Sequence, residues 1–558
     1  MILGIDIGTS NSLAAVYRDG RVELIPDSTG STSIPSVVSI DQDGMVYTGE
    51  VAKERLITHP KETAAMFKRE LGTKKEYLLS GNSYTAEKLF AILLESMKRM
   101  AEKHLGEKIK EAVISVPAFF LNPQRQAVLR AAKLAGLSVR QIINEPTAAA
   151  VAYNIADNPS ESGQEKIIMV LDLGGGTFDI SIMEATSDVM EVVAVCGDNQ
   201  LGGRDFTDRM IELFLQKCGL GEVTDAQDKE KLWKSAERAK KVLSEQGEAT
   251  VSCVLGEQYY ECHVTEAEYT VSCQSLLEKM RKLVLRTVAE SQYQSHEIDD
   301  IIMIGGGTRL SVVKKMIEKI SGKQVDYKIN PDEAVVCGAA IRGALYEKDQ
   351  NLKDIVMTDI CPYHICTAEY SMSQYDFVCQ YHVLIPKNHV VPACITFHQQ
   401  MKPGDYSYVL YQTEDELGTG ATKLVRIEYV VPQCEEQKTE TIKRIIFDSH
   451  GIIHYEVYFP CIDRTYTTSF SETETVDDEE SRKELDRLRY TSEMDQNTKN
   501  TLLLSKAESL YCECLGEDRK KIGNMIAQLE EALKSGKKTL IAKAEKELND
   551  MIERMEMI

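Results

Sequence analysis

Apolar residues fall along this chain in two distinct rhythms. Through residues 1–345 they come as short unbroken runs, each closed by an acid and glycines, alternating with helical spacings. An unbroken apolar run of four to eight residues predicts a strand buried on both faces. Residues 167–171 form such a run and deliver Asp172 to three glycines, and a second run over 178–183 follows at once. The same grammar opens the chain. A run over residues 1–7 ends in Asp6-Ile-Gly-Thr9, then residues 13–17 predict a strand and Arg18-Asp-Gly20 a hairpin turn. Between these copies the spacing predicts a helix over 87–104, on Leu89, Leu93, Leu94 and Met97, a strand over 111–117 and a helix over 122–134. Later come helices over 233–244 and 273–291, a strand over 300–304 and a helix over 310–320. Asn330-Pro-Asp-Glu-Ala334 caps a further helix through 344.

Beyond residue 361 the rhythm shortens to alternation. Strands are expected over 394–397, 406–411, 423–430, 441–448 and 452–459, with Ser449-His-Gly451 as a hairpin turn. From 477 to the end the pattern is helical throughout, with Ile522, Met525, Ile526, Leu529 and Leu533 at helical spacing and Gly536 breaking the last two helices.

The glycines carry the first chemical suggestion. Without Cβ atoms, successive glycines let backbone N–H groups converge on an anion. Asp172-Leu-Gly-Gly-Gly-Thr-Phe-Asp179 therefore suggests a phosphate cradle flanked by two acids able to hold a metal ion or its water. Taken alone it is also compatible with an ordinary glycine-rich hairpin. Its alignment with Gly4-Ile-Asp-Ile-Gly-Thr9 as an internal repeat is more specific, and suggests two similar lobes gripping one nucleotide. Lys68, before a loop, is placed to reach a phosphate, although Lys68-Arg69 also fits a solvated basic pair. Gly305-Gly-Gly-Thr-Arg309 is another glycine turn from strand to helix, suited to a close ligand approach.

Composition narrows the classes. A chain of 558 residues needs two or three cores. Net charge is −22, with 87 acids against 65 bases, which argues against a nucleic-acid binder. The 14 cysteines include no Cys-x-x-Cys, so reduced thiols are expected rather than a disulfide framework. A zinc site at Cys361, His364 and Cys366 lacks a second ligand pair. With no basic leader and no long apolar segment, a cytoplasmic protein without membrane contact is expected.

Taken together, eight segments resemble the DnaK-type chaperones of the seventy-kilodalton heat-shock family. They are Gly4-Ile-Asp-Ile-Gly-Thr9, Phe67-Lys-Arg69, Ser115-Val-Pro-Ala-Phe119, Ile143-Asn-Glu-Pro-Thr-Ala-Ala-Ala150, Asp172 through Asp179, Glu237-Arg-Ala-Lys240, Gly305 through Arg309 and Asn330-Pro-Asp-Glu-Ala334. The short piece between Lys68 and Pro117 is similar to the compact HscC-type branch.

The resemblance implies an α/β actin-like (ribonuclease H-like) ATPase domain of two lobes over 1–350, a linker over 351–360, a divergent β-sandwich for peptides over 361–475 and a helical lid over 476–558. It implies ATP or ADP as nucleotide, with Mg2+ and K+. Lys68, Glu145, Asp172 and Thr177 are the implied catalytic residues, and Asp6, Asp172 and Asp179 hold the metals, largely through water. Gly8, Thr9, Ser10, Asn11, Gly174, Gly175 and Gly176 would surround the phosphates. Glu237, Lys240, Lys241, Ser244, Gly305, Gly306, Gly307, Arg309 and Asp332 would line the adenosine pocket. Lys241 departs from the family's Arg, whose planar guanidinium stacks better on a base.

Pro117 and Arg125 match the positions that couple the two halves, and Ile355, Val356, Met357 and Asp359 occupy the linker. Client polypeptides, a J-domain co-chaperone and a nucleotide-exchange factor are the implied partners. Gln141 stands where the family usually has the Arg that meets the J-domain, which suggests a non-standard J-protein or none. Two rivals remain: a scaffold ATPase serving one dedicated partner, and a small-molecule kinase of the same fold. Tyr406, Tyr408 and Tyr411 replace the usual aliphatics of the sandwich and are expected to pack rather than bind.

Overall fold

A computed structural model describes residues 1–157, 165–186, 189–325, 327, 329–350, 352, 355–372, 377–415, 417–434, 438–469, 482–483, 487–490 and 498–556. The acidic run Asp477 to Glu480, linker residues Lys353 and Asp354, and the terminal Met557 and Ile558 lie outside them.

The repeat in the sequence becomes two sheets of matching design. In the first, the order is Ser138–Asn144, Glu111–Val116, Ile2–Ile7, Asn11–Arg18, Arg21–Leu24. Ile2–Ile7 runs parallel to Glu111–Val116 and antiparallel to Asn11–Arg18. In the second, Lys166–Leu173 lies parallel to Asp300–Ile304 and antiparallel to Phe178–Ala185, which pairs in turn with Val189–Asp198. The central strands are buried on both faces, which is why they are apolar without alternation.

Each sheet has its own core. One gathers around Leu3, Ile5, Phe67, Phe90 and Phe120, the other around Leu171, Phe178, Phe206, Phe214 and Tyr269. The helices Glu145–Asp157 and Ala334–Tyr346 cross between the lobes. A side chain at Gly338 would run into the Ala148 carbonyl, and one at Gly4 into the backbone of Ala339 and Ala340. The glycines there are required by close approach.

The linker segment is not a free tether. Val356–Ile360 is a strand that pairs in parallel with Val189–Asp198, extending the second sheet, and Val390–Val391 pairs beyond it. Two four-stranded sheets follow. One holds Phe377–Ile385, His364–Met372, Gly404–Thr413 and Thr422–Val431; the other holds Ala393–Met401, Thr439–Phe447, Ile453–Phe459 and Arg464–Ser469. They enclose a common core including Ile365, Leu410, Ile445, Tyr455 and Phe459. The tyrosines pack as expected: Tyr406 stacks on Tyr429 at 6.2 Å and Tyr408 on Tyr455 at 5.8 Å.

Helices Thr498–Glu513, Gly516–Ser535 and Lys538–Glu556 share a core of Ala507, Ile522, Leu529, Leu548 and Ile552. Gly536 ends the middle helix in the left-handed region at φ 65°.

Two expectations need correction. The tail is not helical throughout, because Arg489–Tyr490 pairs in parallel with Met45 and Val46. The Tyr490 ring is buried against Arg99 and its hydroxyl donates to Glu95, contacts that reward an extended backbone over a helix. The thiols are not all reduced. Cys434 and Cys461 form a disulfide, their Cα atoms 6.3 Å apart, because the folded sandwich brings two neighbouring loops together. Cys361 donates to the Tyr363 carbonyl and His364 Nδ1 accepts from the Lys387 amide. Among the described residues no three His, Cys, Asp or Glu side chains form a metal-ligand group, and no helix is long and apolar enough to cross a membrane.

Candidate functional site

The two glycine hairpins meet tip to tip. A side chain at Gly175 would collide with Ser10 Oγ, and one at Gly176 would sit 2.7 Å from Thr9 Cγ2. A side chain at Gly202 would likewise meet the Gly176 nitrogen at 2.5 Å. Backbone therefore lines the floor between the lobes from both sides, where N–H groups can cradle an anion. Gly8 and Asn11 belong to the first turn and Gly174 and Thr177 to the second; Thr9 and Thr177 are both buried.

Five charged side chains converge beside these turns. Asp6, at the end of its strand, accepts from Ser115 Oγ at 2.8 Å. Lys68 sits in a 3-10 turn, Phe67–Glu70, entered through Met66 at φ 60° and anchored by buried Phe67. Its Nζ lies 2.7 Å from Glu145 Oε1, at the first turn of helix Glu145–Asp157. Both partners are buried. Asp172 and Asp179 stand opposite each other in register across the second hairpin. Both Asp179 oxygens are buried and meet no side-chain hydrogen-bond donor among the described residues.

Four carboxylates share one ammonium, and their titration reflects this. Burial and the charge of Glu145 push Asp6 up to about 6 and Asp179 up to about 8. Burial, Glu145 and Asp179 hold Asp172 well above the usual carboxylate range. Burial opposes the charge on Lys68, but Glu145 and Asp6 outweigh it and raise its pKa. The site therefore wants additional positive charge. A divalent cation held through its waters fits these acids, since carboxylate oxygens accept from coordinated water.

Arg69 is the residue sequence reasoning passed over as a solvated base. Its Nε donates to the Gly176 carbonyl at 2.9 Å, and its guanidinium meets Asp205 at 2.7 Å. The same Asp205 oxygen accepts from the Gly202 amide. Arg69 thus ties the first lobe to the glycine turn and to the helix Gly203–Cys218 of the second. No spacing signal revealed this, since Asp205 is 136 residues away in the chain.

Glu237, Lys240, Lys241 and Ser244 share one face of helix Ala226–Gln246. Lys240 is buried and committed, donating to the Gly203 carbonyl and Thr207 Oγ1, both at 2.8 Å, and pairing with Glu237 at 2.6 Å. Lys241 is exposed, 3.6 Å from Glu237. Opposite, Gly306–Arg309 is a 3-10 turn, and Arg309 pairs with Asp332 at 2.8 Å. A side chain at Gly305 would strike the Leu173 carbonyl and Asp172, and one at Gly307 the Leu173 side chain. The third glycine turn therefore packs directly behind the second.

The residues expected to couple the two halves lie close to one another. Arg125 is buried and donates to the Ala118 carbonyl at 3.1 Å and to Asn144 Oδ1 at 2.6 Å. It also reaches the His450 carbonyl of the sandwich at 3.4 Å. A side chain at Gly451 would meet the Arg125 guanidinium at 2.9 Å, at φ 73°. Asn144 Nδ2 donates to Asp359 Oδ2 in the linker strand. Pro117 accepts the Phe120 amide in the turn between these groups. Ile355 and Met357 pack against the interlobe core, while Val356 is exposed. Asn122 accepts from the Ile453 amide, Lys387 pairs with Glu290 and Arg286 with Glu414.

Gln141, at the J-domain position, accepts from Arg342 at 2.7 Å and Tyr346 at 3.1 Å, beside a cavity of about 120 Å³ lined also by Asp359 and Phe447. Lys234 on the second lobe pairs with Glu54 on the first at 3.0 Å and with Glu513 of the C-terminal helices at 2.9 Å.

A family model described as Hsp70 protein matches residues 2–79 and 75–557. The chain is 39% identical over 374 residues to the Chaperone protein DnaK of Thermosipho africanus, covering 65% of this chain and 62% of that protein. It is also 39% identical over 375 residues to the Chaperone protein DnaK of Thermotoga neapolitana, with the same coverage. The match thus spans 62% of the length of these curated relatives.

Proposed function

The chain belongs to the Hsp70 family, and on that premise we propose that it is an ATP-dependent molecular chaperone. In this reading residues 1–350 are an actin-like ATPase of two lobes, 351–360 the linker, 361–475 the client-binding sandwich and 476–558 the lid. The observation that carries it is the continuous path from Lys68 through Glu145 and its neighbour Asn144 to Asp359 of the linker strand. A kinase acting on a small molecule has no use for that path.

ATP would lie between the two glycine hairpins, its phosphates against Gly8, Thr9, Ser10, Asn11 and Gly174 to Thr177. Its adenosine would rest between helix Ala226–Gln246, from Glu237 to Ser244, and the Gly305–Arg309 turn with Asp332. Phosphoryl transfer asks for positioning and charge neutralisation more than covalent participation. Lys68, held by Glu145, neutralises charge on the transferred group. Asp6, Asp172 and Asp179 would hold magnesium through its waters, and the ion would draw negative charge from the phosphate oxygens. K+ is assigned to the same acidic cluster. Asp172 would take a proton from the attacking water once a bound cation keeps its carboxylate ionised, and Thr177 would orient that water.

In the arrangement described here the linker strand is docked and the sandwich sits against Arg125 and Asn122. Hydrolysis would release those contacts and let the lid return to the sandwich, since two-state coupling requires different contacts in each state. Client polypeptides are the proposed ligands, with a J-domain partner adapted to Gln141 and an exchange factor as accessories, in the cytoplasm. The short 68–117 segment supports a place near the compact HscC-type branch.

The test is a peptide array read with and without ATP. Many apolar peptides, each released by ATP, support the chaperone. Retention of a single protein from an extract, with no peptide binding, supports the scaffold alternative.

A further inference from the structure

The strand Thr439–Phe447 alternates strictly, and its inward row is Thr439, Thr441, Lys443, Ile445 and Phe447. A lysine therefore points into the sandwich. It is 7% exposed. Its Nζ makes one hydrogen bond, to Gln399 Oε1 at 2.8 Å, and lies 5.3 Å and 5.7 Å from the rings of Tyr408 and Tyr429. An ammonium has three N–H donors, so two are unused among the described residues. Burial alone lowers its pKa, and no carboxylate opposes it. Nearby, the buried Tyr455 hydroxyl pairs with that of Tyr429 rather than with the ammonium. A buried cation without an anion is costly, and tyrosine faces recover only part of that cost.

The ammonium leans toward an open side. Ala393–Met401 lies at the edge of its sheet, pairing among the described residues only with Thr439–Phe447. Phe397 stands opposite Lys443 in register, half-buried, and Gln399 is exposed. An extended segment added to that edge would lie about 4.8 Å beyond it and point alternate side chains along the same inner row. A second copy of this strand is a poor occupant, because it would bring a second Lys443 toward the first.

Resting on the reading of this domain as client-binding, we propose that the edge strand Ala393–Met401 takes an extended client segment whose Asp or Glu carboxylate pairs with Lys443. The site selects acidic residues within otherwise apolar clients.

The experiment uses the full chain with Mg–ADP and two labelled apolar peptides that differ only in a central Glu or Gln, read by fluorescence anisotropy. Wild type should bind the Glu peptide about tenfold more tightly, the size of one charge-assisted contact. Lys443→Met should remove the preference and leave the Gln peptide unaffected. Amide exchange in Ala393–Met401 of the wild type should slow when the Glu peptide binds, a readout that needs no variant. Equal wild-type affinities, a preference that survives Lys443→Met, or unchanged exchange overturns the inference while leaving the chaperone reading standing. Binding of neither peptide overturns both.

Discussion

Asn144 donates a 2.5 Å hydrogen bond to Asp359, and its carbonyl oxygen accepts from Arg125 at 2.6 Å. The next residue, Glu145, holds Lys68. One amide side chain thus stands between the charged cluster of the cleft and the strand that joins the two halves. On the proposed reading, a shift of helix Glu145–Asp157 that accompanies a change in nucleotide would reach Asp359 through this side chain.

Lys68→Ala is expected to slow single-turnover ATP hydrolysis by at least about 100-fold, the usual cost of removing one preorganised charge contact. Binding of labelled ADP should persist, because the glycine backbone and the Ala226–Gln246 helix remain. An unchanged hydrolysis rate contradicts the role given to Lys68.

The acidic cluster makes stability depend on pH. The folded pKa of Asp179, about 8, lies above its ordinary value of 3.8, so the folded protein binds this proton more tightly than the unfolded chain. That stabilisation is fully present below about pH 4 and is lost as pH rises through about 8. In chelator, the unfolding temperature should fall across this window. Added Mg2+ should restore it most at the alkaline end, where the carboxylates are ionised. Asp179→Asn should flatten the profile, and an identical profile in the variant contradicts the assignment.

Arg69 clasps the lobes through Gly176 and Asp205. Arg69→Ala is expected to speed release of labelled ADP by roughly tenfold, as for loss of a charge-assisted contact. Arg69→Lys should recover little, since one ammonium cannot span both acceptors. Stopped-flow displacement reads both, and unchanged release in Arg69→Ala contradicts the clasp.

What the sequence revealed and what it hid have physical reasons. The paired hairpins were legible because strands buried on both faces leave continuous apolar runs, and because contacts such as Gly176 with Thr9 tolerate no side chain. Helix 122–134 was legible from its apolar spacing. Arg69, Lys234 and Arg489–Tyr490 were hidden because their partners are distant in sequence. Strands His364–Met372 and Phe377–Ile385 were missed because their apolar residues neither alternate cleanly nor form one unbroken run. Lys443 was buried in a strand whose inward row looked ordinary on either side of it. The pairing of Val356–Ile360 with Val189–Asp198 is a tertiary choice that no local pattern encodes.

The central claim is that nucleotide state reaches the sandwich through Asp359. It is tested most directly by preloading the protein with a labelled peptide in ADP, adding ATP and timing release in wild type and in Asp359→Ala. The account predicts that ATP accelerates release from wild type at least about tenfold, and that Asp359→Ala hydrolyses ATP yet releases peptide at the ADP rate. Release from wild type at the same rate in ATP and ADP, or ATP-driven release undiminished in Asp359→Ala, would contradict it.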